Sequence, residues 1–128
     1  MGEILRHLWR GSVEGGAVKV VYIAGPFRAA NSWEREQNIR RAEEAALAVW
    51  RNGAAALCPH TNTRFFDGAA ENFVWLHGDL EMLRRCDAVL TVAGWDTSIG
   101  AKAEIVEAVR VGLPVFQTVD DLRRFLED

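Results

Sequence analysis

Long apolar runs, clustered charge and a framework of cysteines are all missing from this chain, and each absence removes a class of protein. No stretch approaches the roughly 20 consecutive apolar residues of a membrane span. Residues 1–11, MGEILRHLWRG, are broken by charge where a secretory signal carries an uninterrupted apolar core. A cytoplasmic protein with no membrane partner is therefore expected. Acidic and basic residues nearly balance, 18 against 15, and are mixed along the sequence. A nucleic-acid partner would call for a clustered basic face, so none is expected. The two cysteines, Cys58 and Cys86, are far apart, each beside an apolar run. They read as small core residues in a reducing compartment, with a single disulfide as the alternative. There is no internal repeat and no low-complexity tract.

What is present suits one domain. A length of 128 residues at 49% hydrophobic content allows a real core and leaves no room for a second. Residues 1–17 read as an N-terminal extension, with Ile4, Leu5 and Leu8 at helical spacing and Gly11, Gly15 and Gly16 as a joint; the domain proper is 18–128. Val18 to Ala24 (VKVVYIA) is apolar almost throughout, as a central strand is. Gly25-Pro26-Phe27 ends it. Asn31 or Ser32 can cap a helix running to about Asn52, with Ile39, Ala42, Ala46 and Val49 as its apolar stripe and Gly53 as its stop. Ala54 to Cys58 is a second strand, followed by a polar and aromatic loop, PHTNTRFFDG, without periodicity. A helix from about Ala70 to Arg85 is expected to bury Phe73, Leu76, Leu80 and Leu83. Ala88 to Ala93 and Leu113 to Gln117 supply two more strands. A last helix over Asp120 to Leu126 turns Leu122, Phe125 and Leu126 inward.

Strands alternating with helices predict an α/β fold, a doubly wound parallel sheet with helices on both faces. The simplest strand order is 2-1-3-4. Ligands bind at the carboxyl ends of strands flanking the switch in such an order. That places Gly25 to Ala30 and Trp95 to Gly100, with Asp96 between, on opposite lips of one crevice, and the loop after Cys58 nearby.

The stretch from Asp87 to Glu104 carries the chemistry. It reads strand, tight loop at Gly94-Trp95-Asp96-Thr97, and helix N-terminus at Ser98, an end that attracts anions. Glu104 has Gly100, Ala101, Glu107 and Ala108 as helical neighbours, so it lacks the usual basic partner. Its side chain leans back over Gly100, which leaves room for a ligand. It is a candidate nucleophile or acid/base; the plain alternative is a solvated glutamate at the edge of the core face. Asp79 lies among Trp75, Leu76, Met82 and Leu83, surroundings that raise a carboxyl pKa and suit proton donation, or that merely mark a boundary position. Tyr22 is either a plain strand residue or a hydroxyl presented to a carboxylate. Arg28 is a solvated loop residue or an anion clamp. Phe27 and Trp95 stack a planar ligand or lid the core edge. Cys58, His60 and Asp67 match no familiar metal spacing, so no metal or cofactor is expected.

Five segments, VYIAGPF at 21–27, NIRRAEEAALAVWRNG at 38–53, CPHTNT at 58–63, GDLEMLRRCDAV at 78–89 and GWDTSIGAKAE at 94–104, occur in an order that resembles the nucleoside 2-deoxyribosyltransferase superfamily. The likeness is greatest to a phage-associated branch labelled a domain of unknown function, near the nucleoside 5′-monophosphate N-glycosidases. The resemblance implies Glu104 as the nucleophile at the anomeric carbon, Tyr22 as its orienting hydroxyl and Asp79 as the group handling the proton on the base. It implies Phe27 as the ring stacking on the base, and puts Pro59 to Thr63, with His60 and Asn62, at the base edge. Ser98, Gly100 and Glu104 match the Ser-x-Gly-x-x-x-Glu pattern of the branch that hydrolyses 5′-monophosphates. An acid in place of Ser98, as in transferases acting on free nucleosides, would repel a phosphate, whereas Ser98 with free helix N–H groups and Arg28 would hold one. The expectation is hydrolysis of the N-glycosidic bond of a (deoxy)nucleoside 5′-monophosphate. Base exchange and a non-catalytic nucleotide-binding module are the alternatives. The resemblance also implies a homodimer.

Overall fold

The computed structural model describes residues 17–128; the helical spacing over 1–10 and the glycine joint of the expected N-terminal extension lie outside the described residues. Four parallel strands, β1 (Val20–Ala24), β2 (Ala55–Leu57), β3 (Ala88–Thr91) and β4 (Val115–Phe116), lie in the order β2-β1-β3-β4. This is the order expected from the sequence. Around them stand α1 (Ser32–Arg51), α2 (Pro59–Asn62), α3 (Asn72–Arg84), α4 (Ile99–Arg110) and α5 (Val119–Glu127). No helix among the described residues is long and apolar enough to cross a membrane.

The two-residue period of β1 decides what each face receives. Val21 and Ile23 pack with Ala42 and Val49 of α1 and Leu122 of α5. Tyr22 and Ala24 face the other way, into a cluster with Leu83 of α3 and Ala108 of α4. Val21, Tyr22, Ile23 and Ala24 are all fully buried. Three helix entries, those of α1, α4 and α5, are capped by the residue type that suits them. Asn31 Oδ1 accepts from the Glu34 N–H at 2.8 Å, Ser98 Oγ from the Ala101 N–H at 3.2 Å and Thr118 Oγ1 from the Asp121 N–H at 3.1 Å.

Two expectations need correction. The stretch after Cys58 is not wholly loop. Pro59, whose fixed φ suits a first helical position, opens the single turn of α2. And α3 buries Leu83 but leaves Phe73 59% and Leu76 37% exposed. The reason is length. Thirteen helical residues span about 20 Å, whereas the four residues of β3 span about 13 Å. The first half of α3 therefore overhangs the carboxyl edge of the sheet, and its apolar stripe looks into open space beside the strand ends.

At that edge β1 and β3 approach closely. A side-chain carbon on Gly25 would stand 2.7 Å from Val92 Cβ, at a distance real side chains do not adopt. Gly25 is thus required by packing at the crevice lip. Gly25→Ala is expected to destabilise the domain by about 1–3 kcal/mol, read as a lower midpoint in urea unfolding at unchanged slope.

Candidate active site

Because Tyr22 is an even residue of β1, it points to the α3 and α4 side of the sheet. There its hydroxyl donates to Glu104 Oε2 across 82 residues of sequence. Glu104 is 7% exposed and lies one turn into α4 from Gly100, whose missing side chain leaves open space. Burial pushes the Glu104 carboxyl up to about 8; the Asp79 charge adds to this, and the Tyr22 hydroxyl opposes it. Tyr22 itself is driven well above the ordinary phenol value by burial, then by the Glu104 charge. One helical step away, Glu107 shows the ordinary alternative. Hydrogen bonds from Arg110 and Arg84 hold its carboxylate well below the usual range. The contrast is between a glutamate neutralised by arginine and one kept without a cation.

Asp79 sits near the middle of α3, on the side that carries Leu76 and Phe73 to the cleft. It makes no ion pair among the described residues, and burial raises its carboxyl to about 6. Asp79 and Glu104 line the same cleft. One carboxyl that accepts a hydroxyl proton and a second with a raised pKa are the parts needed for nucleophilic attack with acid assistance.

The opposite lip is the loop after β1. His60 of α2 is buried, and its Nε2 lies 2.8 Å from the Pro26 carbonyl. A carbonyl only accepts, so Nε2 carries the proton. Burial lowers the pKa of the ring and keeps it neutral. Its Nδ1 is left as an acceptor without a partner among the described residues. The Phe27 ring stands edge-on to His60, centroids 5.5 Å apart. Arg28 has no acidic partner among the described residues. It shares the cleft with the N-terminus of α4, where the Ile99 and Gly100 N–H groups have no intrahelical acceptor.

The cleft measures about 740 Å³. It gathers Gly25, Phe27, Arg28, His60, Asp79, Ser98, Gly100 and Glu104, with Tyr22 behind Glu104. It does not gather Asn62, Trp95 or Asp96. On α2 and its end, Pro59, His60 and Thr63 line the cleft, and Asn62 is exposed outside it. Trp95 and Asp96 belong to a short 3₁₀ turn, Trp95–Thr97, of which only Thr97 reaches the cleft. Sequence reasoning missed Trp75, Phe73 and Leu76 as cleft residues. The signal available was their shared stripe with Asp79: a face carrying a functional carboxyl has to meet the ligand. The Trp75 indole N–H, like His60 Nδ1, is buried without a partner among the described residues.

Residues 19–118, which carry the sheet and this cleft, match the family described as Domain of unknown function (DUF7768). The chain belongs to that family. Among curated proteins none matches the sequence. In fold, this DUF7768 domain is similar to a 2-deoxyribosyltransferase from the psychrotolerant bacterium Bacillus psychrosaccharolyticus. The TM-score is 0.58 at 17% identity, over 81% of this chain and 90% of that one. It is also similar to the 2-desoxiribosyltransferase from Leishmania mexicana, with a TM-score of 0.55 at 19% identity. That second match covers 76% of this chain and 61% of the other. The α/β fold of the DUF7768 domain, four-stranded here, thus matches that of these enzymes.

Proposed function

We propose that this DUF7768 domain transfers the sugar of a nucleoside-type substrate through a covalent intermediate on Glu104. The observation that carries the reading is the hydrogen bond from buried Tyr22 to Glu104, in a cleft shared with Asp79. In the first step a Glu104 oxygen bonds to C1′ while the C1′–N bond to the base breaks, and Asp79 gives its proton to the departing base. In the second, a nitrogen of an incoming base attacks C1′, the Glu104 carboxylate leaves and Asp79 recovers a proton from the attacking base. The two inversions restore the starting configuration, as in retaining glycosidases. Base exchange stands first because the similar folds are those of deoxyribosyltransferases.

Hydrolysis of a nucleoside 5′-monophosphate is the second reading, with water in place of the incoming base. What favours it is that Arg28 and the Ser98-capped N-terminus of α4, both suited to an anion, line the same cleft.

Chromatography of free bases separates the two. The protein is incubated with nucleosides and their 5′-monophosphates, each with and without an acceptor base. Release dependent on the acceptor supports exchange, and release from monophosphates alone supports hydrolysis. Silence across the panel rejects both. If the anion end holds a phosphate, Arg28→Ala raises KM for monophosphates about 10- to 100-fold and leaves KM for nucleosides unchanged. Equal KM changes for both substrate types would remove the phosphate from the reading.

A further inference from the structure

We infer that Asn38 is the positioning residue that holds the Phe27 ring in the cleft, an inference that rests on the reading of Phe27 as the ring that stacks on the substrate's base. Asn38 lies in α1 beside Ile39 and one turn before Ala42, on the buried stripe, and is itself only 9% exposed. A carboxamide at such a position destabilises the helix packing unless both of its ends are bonded. Both are. Oδ1 accepts from Arg41 Nη2 at 2.7 Å, and Nδ2 donates to the Phe27 carbonyl at 3.2 Å. The guanidinium can only donate, so it fixes which end of the amide is oxygen and turns the N–H toward the loop.

The loop needs this bond. Beyond β1, residues 26–30 take part in no backbone–backbone hydrogen bond among the described residues. Two consecutive carbonyls are instead gripped by side chains from different elements, Pro26 by His60 of α2 and Phe27 by Asn38 of α1. His60 also buttresses the Phe27 ring edge-on. With the backbone of residue 27 held on one side and its ring on the other, the ring has one placement in the cleft. Asn38 touches neither carboxylate of the reacting centre, so its effect on catalysis runs through Phe27.

The test is Asn38→Asp. The side chain keeps its size and its contact to Arg41 but presents a second oxygen to the Phe27 carbonyl where a donor stood. Expected results are a KM about 10-fold higher, kcat within 2-fold of wild type, and a pH profile with unmoved limbs, since a stacking contact acts alike on ground and transition states. Amide hydrogen exchange at Phe27 to Ala30 accelerates. On a Phe27→Leu background the same change adds no further KM penalty, because the ring it positions is gone. An additive penalty, or a lower melting temperature with KM and loop exchange unchanged, overturns the inference. A wild-type protein that turns over no nucleoside or monophosphate rejects the proposed function instead. Loop exchange in Asn38→Asp then still decides the pinning, and unchanged exchange overturns it.

Discussion

Glu104→Gln is expected to lose turnover by roughly 10⁴-fold or more while making the domain more stable above neutral pH. The loss follows from chemistry. A carboxamide still accepts the Tyr22 hydroxyl but cannot form the sugar ester. Acid-quenched wild type incubated with substrate should carry the added mass of one sugar on the peptide containing Glu104, and the variant none. The gain follows from burial. In the folded state the Glu104 carboxyl is raised to about 8 from an ordinary value near 4.5, chiefly because its charge is desolvated. Between those values the folded protein holds a proton that the unfolded chain has released, so stability falls as pH rises and levels off above about 8. The stability is fully present below about 4.5. Gln imitates the protonated form at every pH, so the melting temperatures of the two proteins should agree near pH 4 and separate, with the variant higher, toward pH 8. Parallel curves would show that Glu104 does not carry this proton. An active variant would sink the nucleophile assignment.

That a single residue can be both costly and retained explains why it was legible in the sequence. Glu104 stands out because Gly100, Ala101 and Ala108 offer it no cation, and the structure places it where that matters, 7% exposed and bonded to Tyr22. The fold was legible for a different reason. Apolar runs such as VKVVYIA, and caps such as Asn31 and Ser98, are local signals, and the parallel order follows from alternation of strands with helices. What escaped depends on where an element ends in space. Phe73 and Leu76 have the spacing of core residues, and only the overhang of α3 beyond the short sheet turns them into cleft wall. Asn38 escaped because its partner, the Phe27 carbonyl, is a backbone atom that no side-chain pattern advertises. Trp95 and Asp96 were placed at the cleft by the strand order and Asn62 by the resemblance, but a helical turn or a 3₁₀ turn sends adjacent residues in different directions.

Asp79→Asn should change the shape of the pH profile as well as its height. The productive state has Glu104 ionised and Asp79 protonated. Burial raises Asp79 to about 6 and Glu104 to about 8, so between these values the pair holds one proton, which is shared between the productive form and the form with the proton on Glu104. Wild-type kcat/KM should nevertheless trace a bell, because both one-proton forms rise and fall together. The rising limb near pH 6 marks loss of the first proton and the falling limb near pH 8 loss of the second. With Asn at position 79 there is no acid left to exhaust, so the falling limb disappears. The negative neighbour that helped to raise Glu104 is also gone, so the remaining rising limb lies below pH 8 and runs into a plateau. For ordinary bases the rate on that plateau should be about 10²- to 10⁴-fold below the wild-type maximum, the usual contribution of a positioned acid. A substrate whose base departs as a stable anion needs no proton, and its rate should fall far less. If the bell survives in Asp79→Asn, the proton comes from another group, and the assignment of Asp79 as the acid falls.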